Sequence, residues 1–397
     1  MFYYNFKSYI IILVVLLCSI KLQAQSSFVT KFDSDINESD GLFIQNTNNE
    51  YIGIITRRFL DTSYRYSYLY KISVNGDTMF SRKFEKNDTL LSVNYFIQCN
   101  ANPIEYLVTG RGHKSNEPET HYFSYFTKID ENFNTIWEKN YQLRPENIYT
   151  SVEYWAHLLQ KKYGGYLCAT RLGHDDDPRL ILFDLSELGD SLAYRMYEGD
   201  SACDLLMSLT YNHDSTAYLL FTEGAHYVPY MGGECITVDF ELNQTDVYHY
   251  QRYFDDGLTA KLLPDGQLVT GGLFEDHGPP AIAIMKVLKH DTSFNLQAEC
   301  NVGNPDFEIR KDNGHKTLDY YYPNSIFVAG TFDYDVGIWI PHPSWIVIGK
   351  MDSNLNLLNE KYIGGDAYYH FNTITATSDG GALIATGLVP RRSAANS

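Results

Sequence analysis

The sequence predicts an all-β chain of repeated four-stranded units, and three observations predict it. The first is a recurring phrase: an apolar-alternating strand, a tight turn rich in Gly or Asp, and a second strand. Copies are Leu158-Leu-Gln-Lys-Lys-Tyr-Gly-Gly-Tyr-Leu-Cys-Ala-Thr170, Leu262-Leu-Pro-Asp-Gly-Gln-Leu-Val-Thr-Gly271 and Thr373-Ile-Thr-Ala-Thr-Ser-Asp-Gly-Gly-Ala-Leu-Ile-Ala-Thr-Gly387. The second is spacing. Equivalent second-strand positions fall at Tyr51, Tyr106, Tyr166, Tyr218, Leu268, Ile326 and Ala382, at intervals of 55, 60, 52, 50, 58 and 56 residues. The third is a further hairpin within the interval, as in Tyr68 to Phe80, Phe123 to Trp137 and Trp345 to Leu358. Each of these hairpins turns on Asp, Asn or Gly, residues that accept positive φ at little cost. A long repeat of short strands signals a β-propeller or a β-solenoid, and this interval suits a four-stranded propeller blade. Seven marks predict seven blades of four antiparallel strands.

The elements follow in chain order. Residues 1–24 read as a secretory signal peptide: Lys7, the apolar run Ile10 to Ile20, then Leu22-Gln-Ala24 as a small-residue cleavage site. The run is short for a bilayer core of roughly 30 Å, so no stable membrane insertion is expected. Cys18 lies inside that run after Leu16 and Leu17, not after the small residue expected of a lipid-attachment cysteine. Residues 25–387 read as one propeller domain, because a blade buries its faces only against its neighbours. Ser27 to Asp33 resembles the outer strands at Ile136 to Tyr141 and Leu358 to Ile363, so it is a candidate outer strand for the last blade. The phrase ending at Gly387 supplies only the first two strands of that blade, which is therefore expected to be incomplete, through a short blade or a truncated chain. Residues 388–397 read as an irregular tail.

Composition narrows the partners. The chain carries a net charge of −18. Lys7 and Lys21 are the only charged residues of the leader, so its removal leaves −20. Such a balance disfavours phosphate backbones, and no nucleic-acid partner is expected. After the leader come Cys99, Cys168, Cys203, Cys235 and Cys300, scattered and odd in number, so at least one thiol stays free. Cys99 and Cys168 lie in apolar strand phrases and are expected to be buried free thiols.

Ser378-Asp-Gly-Gly-Ala-Leu-Ile-Ala-Thr-Gly387, Glu360-Lys-Tyr-Ile-Gly-Gly365 and the leader ending Leu22-Gln-Ala-Gln25 resemble exported propeller-like repeat proteins of Bacteroidota. The resemblance implies export, to the cell surface, the medium or the periplasm, and a propeller. It brings no agreed activity and no catalytic residues. Such proteins often continue into a sorting domain for type IX secretion, and no such segment follows Gly387 in this sequence.

Geometry then selects a face. In a propeller the first strand (A) of each blade lines the axis and the fourth (D) lies outermost. The A–B and C–D turns share one end of the ring; the B–C loops and the D–A links share the other. Here the B–C loops are long and varied, and long loops on a rigid scaffold usually carry binding. Trp339, His342, Trp345, His226, Tyr227 and Tyr230 are the ligand-binding candidates, since aromatic rings with polar tips suit sugars and protein surfaces. Histidines recur in these loops, and imidazole with carboxylate can hold metals. The candidates would be His113, His174, Asp175, Asp177 and His277, but their uneven offsets favour solvated loops, and no metal or cofactor is expected. Alternating Tyr64, Tyr66, Tyr68 and Tyr70 read as blade packing.

No nucleophile elbow, zincin motif, P-loop or complete dinucleotide fingerprint occurs. The reading is a secreted binding module for a protein or glycan on the B–C loop face. The alternative is an extracellular carbohydrate-active propeller enzyme, which would need acidic or histidine side chains clustered at the channel.

Overall fold

A computed structural model describes residues 38–58, 65–86, 88–99, 102–114, 122–142, 152–172, 179–198, 205–223, 233–249, 256–276, 282–303, 309–310, 316–321, 325–332 and 343–389. Every named element is a strand. Blade 1 holds β1 (Glu38–Gln45), β2 (Tyr51–Arg58), β3 (Arg65–Ile72) and β4 (Thr78–Phe84). Blade 2 holds β5 (Thr89–Cys99), β6 (Glu105–Lys114), β7 (Tyr122–Asp130) and β8 (Thr135–Tyr141). Blade 3 holds β9 (Val152–Gln160), β10 (Tyr166–Leu172), β11 (Arg179–Leu185) and β12 (Ser191–Glu198). Blade 4 holds β13 (Leu205–Tyr211), β14 (Tyr218–Glu223), β15 (Glu234–Val238) and β16 (Gln244–His249). Blade 5 holds β17 (Asp256–Leu262), β18 (Leu268–Asp276), β19 (Ile282–His290) and β20 (Leu296–Val302). In blade 6 the first strand comes in two pieces, β21 (Ile309–Arg310) and β22 (Leu318–Tyr321), both paired to β23 (Ser325–Phe332), which continues to β24 (Trp345–Met351) and β25 (Leu357–Gly364).

The seventh place corrects the expected count. It is filled by a two-stranded sheet, β26 (Tyr368–Ala376) and β27 (Ala382–Val389), so six blades are complete rather than seven. Among the described residues no strand pairs with the outer side of β27, which matches a repeat supplying only strands A and B. β27 also runs on to Val389 instead of stopping at Gly387.

The first strands close a ring. β1 packs on β5, β5 on β9, β9 on β13, β13 on β17, β17 on β22, β22 on β26, and β26 on β1. Apolar side chains fill each interface. Between blades 2 and 3, for example, Cys99, Leu107, Phe126, Leu158, Cys168 and Phe183 share one buried cluster. Cys99, Cys168 and Cys235 are free and buried, as expected for the first two, and burial pushes all three thiols up. The outer strands are the exposed ones, as β25 shows along its length.

Local turn chemistry builds the blades. In the turns joining third to fourth strands, Asp130 Oδ1 accepts from the backbone N–H of Asn132 (2.9 Å) and Asn134 (2.7 Å), and Oδ2 accepts from Asn134 Nδ2 (2.9 Å). Asp239, Asp291 and Asp352 repeat the link to an Asn four residues on. The residue before that Asn takes positive φ: Phe133 63°, Leu242 65°, Phe294 61° and Leu355 63°. Bulky residues seldom adopt this conformation. Here the Asp side chain satisfies the turn and the apolar side chain gains burial against the preceding blade. Tyr197 of β12 donates to Leu242 O at 2.6 Å, Tyr248 of β16 stacks on Phe294 at 4.9 Å, and Val302 of β20 shares a cluster with Leu355. Trp137 and Tyr141 of β8 donate to Glu187 O and Gly189 O in the same way. The outer strand of one blade thus holds the turn of the next.

Candidate functional site

The two ends of the ring differ in construction. At the turn end the A–B reversals close on their own backbone: Asn46 with Glu50, Lys161 with Gly165, Asn212 with Ala217, Leu263 with Gln267, and Thr377 with Gly381. The opposite end carries the long B–C connections. Of the residues expected to bind there, Trp339, His342, His226, Tyr227 and Tyr230 lie outside the described residues, as do His174, Asp175, Asp177 and His277. Trp345 opens β24 half-buried, edge-to-face with Phe332 at 5.9 Å. His113 is buried near the end of β6, opposite Leu90 and Tyr122 in the sheet register. Tyr70, one of the alternating tyrosines, is buried and stacks with Tyr68 at 6.0 Å, as packing predicts. Among the described residues no group of His, Cys, Asp and Glu is arranged to hold a metal ion.

A buried ionic cluster lies elsewhere, on the innermost strands. Lys261 is the penultimate residue of β17, Lys316 stands two residues before β22, and Asp319 is the second residue of β22. Lys261 Nζ lies 3.1 Å from Asp319 Oδ1, and Lys316 Nζ lies 2.6 Å from Asp319 Oδ2. The seventh sheet completes the clamp: the Ala376 N–H donates to Asp319 Oδ2 at 3.0 Å, and Lys316 Nζ reaches Thr375 Oγ1 at 3.5 Å. The side chains of Lys316 and Asp319 keep 12% and 10% of their accessible surface, whereas Lys261 keeps 37% despite dense protein around it. Lys261 is thus the most accessible charged side chain of the three. From the far side of the ring, Tyr95 of β5 comes close enough to feel both Lys261 and Asp319. Its ring packs on His157 of β9, centroids 4.8 Å apart. The cluster sits nearer the A–B turn end than the end carrying the long connections, because Lys261, Asp319 and Thr375 all close their strands on that side.

Electrostatics follow from burial and charge together. Burial alone would raise the Asp319 carboxyl, but Lys261 and Lys316 override it and hold it at about 2. Burial lowers Lys316, Asp319 restores part of the loss, and Lys261 repels it, leaving it at about 8. Lys261 is also pushed down by burial, yet Asp319 and Tyr95 carry it above the ordinary lysine value. Burial, with Asp319, raises Tyr95. At neutral pH the carboxylate is ionised and both lysines are largely protonated.

Register exposes the logic of the site. The first-strand partners of Ile52, Leu107, Leu167, Leu219, Val269, Phe327 and Leu383 are Ile44, Ile97, Leu159, Thr210, Lys261, Asp319 and Thr375. These are one position read round the ring. It is apolar in blades 1 to 3 and polar from blade 4 onward. Counting back seven residues from the repeat marks Leu268, Ile326 and Ala382 finds Lys261, Asp319 and Thr375, a signal available in the sequence.

No protein-family model matches the chain, and no curated protein matches it in sequence. Among solved structures it is similar in fold to a puromycin hydrolase, with TM-score 0.53 and 13% identity over 89% of this chain and 50% of that one. The chain thus spans half the length of that hydrolase. A protein of unknown function from Dyadobacter fermentans DSM 18053 aligns with TM-score 0.49 and 12% identity, over 82% of this chain and 96% of that one. A Penicillium chrysogenum α-L-arabinanase complexed with arabinobiose aligns with TM-score 0.47 and 10% identity, over 74% and 88%. At 13% identity the likeness to the puromycin hydrolase is one of fold.

Proposed function

We propose that this protein is an exported propeller binding module that presents its long connections to a protein or glycan. The observation that carries the reading is the unlike construction of the two ends: tight, internally bonded turns on one, long connections rooted in rigid strands on the other. A rigid ring lowers the ordering cost of a binding surface. The apolar leader and acidic composition support export. Trp345 serves as the root of its connection, anchored on Phe332, so Trp339 and His342 are the residues of that segment left to contact a ligand.

The carbohydrate-hydrolase alternative has less support. Paired-carboxylate hydrolysis needs two carboxyl groups about 5–10 Å apart, one of them protonated. The register position described above supplies one carboxylate, Asp319, held ionised and engaged by two lysines.

The test is binding of the chain without its leader to soluble arabinan, xylan and dextran, read by calorimetry and melting temperature. A ligand at 100 times its Kd adds about 2.7 kcal/mol of stability. Replacing residues 333–342 by a short Gly-Ser turn, with Trp345 retained, should abolish binding while leaving the melting temperature of the free protein within a few degrees. Undiminished binding by that variant would reject the loop face.

A further inference from the structure

We propose that the axial channel holds a binding site for a small monocarboxylate, received by Lys261 and Lys316 on blades 5 and 6 and by the Tyr95 hydroxyl on blade 2. The inference is independent of the loop-face reading, since the cluster lies toward the opposite end of the ring.

The argument begins with charge balance. Two lysines face one carboxylate, at 3.1 and 2.6 Å. Among the described residues, the charged groups acting on Lys261 and Lys316 are Asp319 and the lysines themselves, with Tyr95 the only other titratable neighbour. This cluster therefore carries, among the described residues, a net single positive charge, in a chain that as a whole carries −18. Burying charge without a partner is unfavourable, and a monoanion in the channel removes the imbalance. Lys316 is lowered first by its burial, and repulsion from Lys261 adds to that.

Geometry points to where the anion enters. Asp319 is saturated by Lys316, Lys261 and the Ala376 N–H. Lys316 is occupied by Asp319 and approaches Thr375. Lys261 is the more exposed cation, and an ammonium has three donors. Tyr95, on β5, is near enough to interact electrostatically with Lys261 and Asp319, and a phenol hydroxyl can donate. An ammonium and a phenol in this neighbourhood offer donors to the two oxygens of a carboxylate. One unit of unbalanced charge matches a monoanion better than sulfate or hydrogen phosphate.

The probes are acetate, lactate and glucuronate, at constant ionic strength, with acetamide and glucose as neutral counterparts and sulfate as a divalent oxyanion. The full chain is followed by melting temperature and by acetic anhydride labelling of individual lysines, read by peptide mass spectrometry. At least one carboxylate should raise the melting temperature saturably and slow labelling of Lys261 several-fold. Lys261→Gln should weaken its Kd tenfold or more. Tyr95→Phe, which keeps the ring on His157, should weaken it several-fold. The labelling of the unmodified protein decides the matter even where a variant does not fold. Unchanged labelling with every carboxylate overturns the site, as does an unaltered Kd in Lys261→Gln. An equal response to sulfate overturns the monocarboxylate assignment.

Discussion

Two sides of the ring solve one problem with different chemistry. At the same register position blades 1 to 3 place Ile44, Ile97 and Leu159, whereas blades 5 to 7 place Lys261, Asp319 and Thr375. On the first side the neighbouring sheets meet through apolar contact and neutral hydroxyls. Thr56 donates to Val93 O at 2.8 Å, and the Val93 N–H donates to Ser67 Oγ at 2.9 Å. On the second side, ions do much of the joining. Neutral joints occur there too, since Thr317 pairs with Thr259 at 3.0 Å. Ions on that side therefore add to neutral joints, whereas blades 2 and 3 meet through an apolar cluster.

The largest expected effect comes from breaking the charged side. Asp319→Ala leaves two lysines in the channel with no counter-ion and should destabilise the protein by about 3–5 kcal/mol. Urea denaturation of the variant checks this. A loss below about 1 kcal/mol would mean that water enters and screens the lysines, making the two sides of the ring energetically alike.

How much of this is legible in the sequence depends on the range of the interaction. The blades are legible because turn chemistry is local: Asp130 and Asn134, or Asp352 and Asn356, bond across four residues and announce each hairpin. The buried free thiols Cys99 and Cys168 are legible from their apolar neighbours. The channel cluster is legible only as a register, seven residues before the repeat marks: Lys261 and Asp319 belong to unremarkable strand phrases and meet only when the ring closes. Tyr95 is harder still, since it reaches the cluster from across the axis. A repeat alignment would have found the layer in blades 5 to 7 but slipped in blades 2 and 4, whose first turns are longer: Ile97 pairs with Leu107 and Thr210 with Leu219, against Ile44 with Ile52 in blade 1.

A second variant sharpens the comparison by making the two sides alike. Replacing Lys261, Lys316 and Asp319 together by Met, Met and Leu removes both the desolvation cost and the Coulomb gain. Buried ion clusters replaced in this manner are often neutral or gain about 1–4 kcal/mol. The expected result is no loss of stability, measured by urea denaturation. A loss comparable to that of Asp319→Ala would instead give the ions a structural role.

The pH dependence separates the regions without mutation. Asp319 sits at about 2 in the fold against 3.8 ordinarily. Its depressed value contributes stability above pH 4 that is lost as pH falls toward 2. His290, buried in β19, is lowered by burial to about 4 from 6.5, with Asp291 opposing. It stays neutral in the fold while the unfolded chain takes up a proton, so its share of stability is lost earlier, between about 6.5 and 4. Lys316, at about 8 against 10.5, acts on the alkaline side: the unfolded chain holds the extra proton there, so stability rises with pH across that window. Urea midpoints measured from pH 2 to 10 should show two acid limbs. Asp319→Asn should shrink the lower one, to which the lowered turn carboxylates Asp130, Asp239, Asp291 and Asp352 also contribute, and leave the upper.

The smallest effect tests the neutral side. Thr56 is buried, and its hydroxyl bonds both Ser67 Oγ (2.9 Å) and Val93 O (2.8 Å), tying blade 1 to blade 2. Thr56→Val keeps the shape and removes that oxygen. Val93 O and Ser67 Oγ each lose one partner, while Ser67 keeps the Val93 N–H. A neutral bond of this kind contributes about 1 kcal/mol net, so a loss of that size is expected in urea melts, with no change in the acid limbs. A loss approaching that of Asp319→Ala would place the weight of ring closure on the hydroxyl joints, leaving the charge of the opposite side free to serve a ligand.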